Sequence, residues 1–306
     1  MVDIIIIGGG PAGMTAALYA RRNGKTALVI EKTGFGGQIT HSPKVENFPG
    51  TVTISGTELA DSMMSQILEQ GADVEFETVS SVEDNGNIKV VKTEEGGVYE
   101  CYAVIIATGV KHRLLGLPGE KELIGEGISF CAVCDGDFYT GKNVLMAGGG
   151  NSALQEAILL SDKCKSVTML QDLDFFTGEE SLQKLLFSRD NVSSYTGVKI
   201  TKLITENGEF KGVEILLGAT GETKQLFADG LFVAIGLIPE NEPFKNLADL
   251  NSYGYFDSDE ACTTKTKGIF VAGDCRSKAV RQVTTAAADG TIAALAACRY
   301  VNEIKG

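Results

Sequence analysis

The chain has 306 residues, 43% of them hydrophobic and 22% charged, which suits a folded protein of about two domains and excludes a peptide or a disordered chain. Its formal charge of −13 lacks the surplus of Lys and Arg that unspecific binding to nucleic acid or an anionic membrane requires, so neither is expected as a partner. The apolar run Ile4–Ile7 is too short to span a bilayer, nothing resembles a signal peptide, and seven cysteines, an odd number, do not suggest a secreted disulfide framework; a cytoplasmic protein is expected.

VDIIII (residues 2–7) is a continuous β-branched run, the pattern of a strand covered on both faces in a parallel sheet. GGGPAG follows at 8–13, then MTAALYARRN with helical spacing, Gly24 as a stop, and TALVI as the next strand, which completes one βαβ unit. AVIIATG (103–109) is a further buried strand ending in glycine, and LLGLPG (114–119) has the Gly and Pro of a crossing between domains. The first pattern then repeats as the strand NVLMA (143–147), the loop GGGNSA (148–153), the helix-like LQEAILLSD and the strand SVTML (166–170). IGLIPEN (235–241) is a second crossing, and GIFVAGD (268–274) a strand whose carboxyl end faces a ligand crevice. The predicted fold class is α/β, with two Rossmann-like nucleotide-binding domains, the second inserted in the first. Residues 1–114 and 243–306 form one domain and residues 115–242 the insertion.

In GGGPAG, Gly8, Gly10 and Gly13 match the spacing that lets backbone approach a pyrophosphate at a helix N-terminus. Glu31 ends the next strand, where a carboxylate accepts hydrogen bonds from ribose hydroxyls. Asp274, just past its strand, suits a polyol hydroxyl or, equally, the cap of the following helix. FCAVCDGDFY holds Cys131 and Cys134, which can close a small disulfide, and Asp135, which can shuttle a proton or cap a helix. A metal is the weaker reading of this pair: there is no second Cys-x-x-Cys, and His41 and His112 are isolated.

GGGPAGMTAALYA, GGQI, VENFPG, CAVCDG, GGGNSALQEA and GIFVAGDCRSKAVRQVTTAAADG, in this order, resemble the low-molecular-weight thioredoxin reductases over essentially the whole chain. The resemblance implies FAD held by Gly8, Gly10, Pro11, Ala12, Gly13, Glu31, Gly37, Gln38, Asn47, Asp274, Arg281, Gln282 and Val283. It implies that Cys134 faces the flavin, that Cys131 attacks the disulfide of thioredoxin, with Asp135 as acid, and that the protein is a homodimer.

One departure concerns the electron donor. NADPH-dependent members carry His-Arg-Arg-x-x-x-Arg after the second glycine loop; here the corresponding residues are Gln171, Asp172, Leu173 and Thr177, and every arginine is gone. A carboxylate at Asp172 repels a 2′-phosphate of charge near −2 where arginine would bind it. NADH lacks that phosphate, and an acid at this strand end suits its ribose, with Gly148, Gly150 and Ala153 keeping the loop pattern. Alternatively the glycines persist only to pack helix against strand, as expected of the ferredoxin-dependent flavin thioredoxin reductases, which the chain also resembles. Ferredoxin near −400 mV and thioredoxin near −270 mV leave about 6 kcal/mol downhill for two electrons, delivered in two encounters. Acidic ferredoxin would need a local basic face, for which Lys111, Arg113, Lys265, Lys267, Arg276, Lys278 and Arg281 are candidates. Ferredoxin stands slightly ahead of NADH as the expected donor, and a flavin-bound redox sensor is the third reading.

Overall fold

The run of isoleucines in Val2–Ile7 is buried on both faces: Ile4 and Ile6 join one apolar cluster, Ile5 and Ile7 another. At about 1.5–3 kcal/mol for each fully buried aliphatic side chain, such a strand is stable only inside a covered sheet, and that is where it lies. The computed structural model describes residues 1–42 and 44–306, which form two units, Met1–Lys111 with Ile238–Gly306, and His112–Leu237.

In the first unit a parallel sheet runs in the order Asp73–Glu75, Ala27–Ile30, Val2–Ile7, Val98–Ile106, and Ile269–Val271 also pairs with the last of these. The early half of Val98–Ile106 carries an antiparallel extension, Ile88–Thr93 and Val79–Asn85. Helices Pro11–Arg22 and Val283–Lys305 bring their alanines onto the Ile4 face. They pack so closely that a Cβ on Gly290 would lie 2.2 Å from the carbonyl oxygen of Ala12. Glycine at 290 is therefore a condition of that packing.

Helix Gly56–Glu69 begins with a reciprocal cap: Ser55 Oγ accepts from the N–H of Glu58 at 3.1 Å, and Glu58 Oε2 accepts from the N–H of Ser55 at 3.0 Å. Ser55→Ala should lower stability by about 1 kcal/mol. The check is the urea midpoint followed by circular dichroism; an unchanged midpoint would mean that packing alone holds the helix.

The second unit has a five-stranded parallel sheet in the order Val192–Tyr195, Ser166–Leu170, Asn143–Ala147, Gly230–Val233, Ile128–Ser129. A three-stranded antiparallel sheet, Val198–Glu206, Glu209–Leu217 and Thr223–Phe227, shares its apolar cluster. Helices Asn151–Ser161 and Glu180–Phe187 pack on the other face of the parallel sheet. Among the described residues no helix is long and apolar enough to cross a membrane.

Candidate functional site

The first unit gathers the glycine loop and the two chain ends. Gly8 has φ +110°, and a Cβ there would lie 2.4 Å from the carbonyl oxygen of Ala107, so no other residue fits this turn. A Cβ on Gly10, by contrast, would meet nothing within 4 Å, which leaves an open face on the loop. Helix Pro11–Arg22 starts there with Gly10 as its N-cap, without a side-chain cap or an acid in its first turn, so its N–H groups stay available to an anion.

Glu31 is fixed as a hydrogen-bond acceptor beside this loop. Its Oε2 accepts from the N–H of Gly9 at 2.7 Å and its Oε1 from the N–H of Thr33 at 2.9 Å, which leaves lone pairs for further donors. The turn Gly37–His41, with Gln38 exposed, brings Gly37 next to Gly10. From the other chain end, Gly273 packs on Ala12 and places Asp274 nearby. Asn47 donates to Gln282 at 3.2 Å, and Gln282 caps the helix that begins at Val283.

Asp274 presents a buried acceptor to this region. Its Oδ1 is buried without a hydrogen-bond partner, with only the Lys278 ammonium 3.6 Å away. Burial pushes its carboxyl up from the ordinary range, against the pull of Lys278 and Arg281. An orphaned buried acceptor, an open phosphate cradle and an anchored carboxylate together fit a dinucleotide with a polyol chain. Arg281 lies over the Tyr255 ring, 4.4 Å from its centroid.

The second unit holds the sulfur chemistry. Cys131 and Cys134 are joined in a disulfide around the short turn Ala132–Asp135, and Cys131 Sγ is the N-cap, accepting from the N–H of Cys134 at 3.1 Å. Below it, the N–H of Cys131 donates to Ser129 Oγ at 3.1 Å, and Ser129 donates in turn to Asp135 Oδ2 at 2.6 Å. Asp135 Oδ1 is buried and unpartnered. Burial raises the Asp135 carboxyl, against the hydrogen bond from Ser129, so the group holds a proton more readily than an exposed aspartate. The remaining five cysteines are buried free thiols.

The second glycine loop keeps its geometry. Gly148 has φ +127°, and a Cβ there would lie 2.4 Å from the carbonyl oxygen of Ala234. Gln171, only 4% exposed, lies over Gly149, and the N–H groups of Thr177 and Gly178 donate to the Gly149 carbonyl at 2.9 and 3.0 Å. Asp172, Leu173 and Thr177 are exposed on this segment, which offers a phosphate no cation.

The family model described as pyridine nucleotide-disulphide oxidoreductase matches residues 2–290. The chain belongs to that family. It is 40% identical to a thioredoxin reductase of Bacillus subtilis over 99% of this chain and 96% of the relative. It is also 40% identical to a "34.2 kDa protein in rubredoxin operon" of Clostridium pasteurianum, over 98% of this chain and 97% of the relative. The crystal structure of thioredoxin reductase from Streptococcus pyogenes matches with a TM-score of 0.93 at 38% identity, over 99% of each chain. The fold is thus that of the FAD- and NAD(P)-binding thioredoxin reductases, the cofactor of this family is FAD, and the chain is a thioredoxin reductase-like flavoprotein disulfide oxidoreductase.

The structure revises one expectation: four of the seven cations proposed for a basic face are paired with acids. Arg276 and Lys278 are turned inward, with side chains 12% and 10% exposed, and both pair with the buried Asp289, at 2.9 and 3.0 Å. Lys111 pairs with Glu240 at 2.8 Å and Lys265 with Asp249 at 2.6 Å. The sequence reading missed Asp289, whose helix carries it back over the 273–278 loop. It also missed Ser129 and Glu156, which touch the Cys turn; their signal was a hydroxyl two residues before Cys131 and an acid in register with the buried Ala153 and Leu160.

Proposed function

We propose that this chain reduces thioredoxin through FAD and the Cys131–Cys134 pair, with electrons from reduced ferredoxin in place of NADPH. The observation that carries the donor assignment is the strand end beside Gly149, where Gln171, Asp172 and Thr177 stand and no arginine does. An anion meeting Asp172 loses the charge-assisted hydrogen bonds that a 2′-phosphate needs.

In this reading Gly8, Gly10, Pro11, Ala12, Gly13 and Glu31 hold the adenosine and pyrophosphate part of FAD. Gly37, Gln38, Asn47, Asp274, Arg281, Gln282 and Val283 hold the remainder, with Asp274 Oδ1 accepting from a hydroxyl of the cofactor. Bound FAD would supply the store of two electrons that reduces the disulfide.

The chain's own residues then carry out thiol–disulfide exchange. Cys131, whose sulfur has the N–H of Cys134 to stabilise a thiolate, attacks one sulfur of the thioredoxin disulfide, forming a mixed disulfide and expelling one thiolate. Cys134 attacks Cys131 in turn, which re-forms the Cys131–Cys134 bond and expels the second thiolate. Two electrons and two protons thus pass to thioredoxin, and Asp135, with Oδ1 free to carry a proton, serves the transfer. Val133, 56% exposed between the cysteines, presents apolar surface to a protein partner.

The test is anaerobic mixing of the oxidised protein with reduced ferredoxin, NADH or NADPH while flavin bleaching is followed. Ferredoxin should bleach it, and NADPH should not. Because both proteins are acidic and four of the seven candidate cations are paired, the rate with ferredoxin should rise with added salt. Asp172 and the intact loop Gly148–Ala153 favour a second reading, an NADH-dependent reductase; rapid bleaching by NADH would establish it and end the ferredoxin assignment.

A further inference from the structure

We infer that Glu156 is a positioning residue for the disulfide: it takes up a proton when the Cys131–Cys134 bond is reduced and so sets the acidity of the Cys131 thiol. This rests on the reading of that pair as a working disulfide.

Glu156, half-buried, lies on helix Asn151–Ser161 in register with Ala153 and Leu160, which pack against the sheet. An acid in that place needs a partner or a proton. None of the ion pairs among the described residues includes it; its polar contact is the N–H of Ala132, 3.3 Å from Oε2. Ala132 is the first residue of the turn that Cys131 Sγ caps, so carboxylate and sulfur share one turn of backbone donors. Burial pushes the Glu156 carboxyl up to about 7, against the Ala132 N–H and with the Asp135 charge adding to the rise.

The surrounding charges leave Asp135 as the group that acts on it. Burial holds the Tyr139 phenol up at about 12 and raises the Cys164 thiol, so both are neutral near pH 7. Lys163 pairs with Asp137, Arg189 with Asp162, and Lys184 with Glu180. Glu179 is held by Asn151 at the start of the helix, more than a turn from Glu156.

Two electrons break the S–S bond. Cys134 takes one proton as a thiol, while Cys131 remains a thiolate on the N–H of Cys134. A negative sulfur at the same turn raises the Glu156 carboxyl further, so Glu156 takes the second proton. The reduced pair is then stored as thiolate and carboxylic acid, and the two groups titrate as one coupled system with two steps.

The experiment is a pH profile, from pH 5 to 10, of Cys131 alkylation by iodoacetamide in the reduced holoprotein, resolved by peptide mass spectrometry. The wild type should show two steps. Glu156→Gln, which keeps the size and the acceptor for Ala132, should show a single step with its midpoint about one pH unit below the upper step of the wild type. Redox titration against dithiothreitol should show about half a proton fewer taken up per two electrons in the variant at pH 7, where the Glu156 carboxyl of the disulfide form is already about half protonated. Glu156→Leu, which likewise cannot carry a proton, should behave as Glu156→Gln and replaces it if that variant does not fold. Profiles that superpose on the wild type would overturn the inference. If the wild-type pair itself does not exchange with dithiothreitol, so that alkylation after denaturation never moves from five thiols to seven, the reading of the disulfide fails and takes this inference with it.

Discussion

Cys131→Ser is expected to lower thioredoxin reduction by at least about 10³-fold while the bound flavin still bleaches with the donor. Cys134→Ser is expected to stop turnover as completely but by a different route. It keeps the attacking thiol and removes the one that would resolve the mixed disulfide, so thioredoxin should become covalently trapped on the chain. A band at the summed mass, lost on adding dithiothreitol, should appear with Cys134→Ser and not with Cys131→Ser. The asymmetry follows from the local backbone, in which Cys131 Sγ receives the N–H of Cys134 at 3.1 Å and so offers the better-stabilised thiolate. Trapping by Cys131→Ser instead would reverse the two roles, and full activity in either variant would remove the pair from the reaction.

The two nucleotide-type βαβ patterns were legible because their strands are continuous apolar runs and their loops need glycine for backbone reasons. Residues 2–7, 143–147 and 166–170 are strands over the same bounds that hydrophobicity marks. The antiparallel sheet of Val198–Glu206, Glu209–Leu217 and Thr223–Phe227 was less legible, since alternation places residues on a face but does not say which strand pairs with which. Helix Gly56–Glu69 did carry a readable start in Ser55 and Glu58, a capping box ahead of an amphipathic run.

Charged residues were the harder case. Arg276 and Lys278 read as surface cations because the one acid near them in the chain, Asp274, suits a ligand; the acid that holds both, Asp289, lies well into a helix whose other residues are mostly small and apolar. Glu156 drew no reading at all, since its partner, the N–H of Ala132, lies in another element. Charge compensation here is made by packing between elements, and local sequence does not encode it. The redox pair was readable from spacing, and Asp135 from its place beside Cys134, whereas Ser129 and Glu156, which touch the same turn, were not.

Asp289→Asn is expected to cost about 3–5 kcal/mol of stability, the usual penalty when one partner of a buried ion pair is neutralised and its charged neighbours are left behind. Asp289 accepts from the Gly273 N–H at 3.1 Å, from Arg276 at 2.9 Å and from Lys278 at 3.0 Å, so the substitution leaves two half-buried cations around one loop. FAD retention should fall as well, by a separate cause. Lys278 already stands 3.6 Å from Asp274 Oδ1, and without Asp289 its ammonium has that carboxylate as its nearest counter-ion. The acceptor assigned to the cofactor hydroxyl is then taken by lysine. Thermal unfolding measures the first effect and flavin content after gel filtration the second. Adding Lys278→Met to Asp289→Asn separates them, because the competing ammonium is removed while Arg276 still lacks its partner. Flavin retention should recover in the double variant more than stability does. Equal recovery of both would mean that the flavin loss was only a consequence of unfolding, and retention of FAD in Asp289→Asn alone would mean that Lys278 does not reach Asp274.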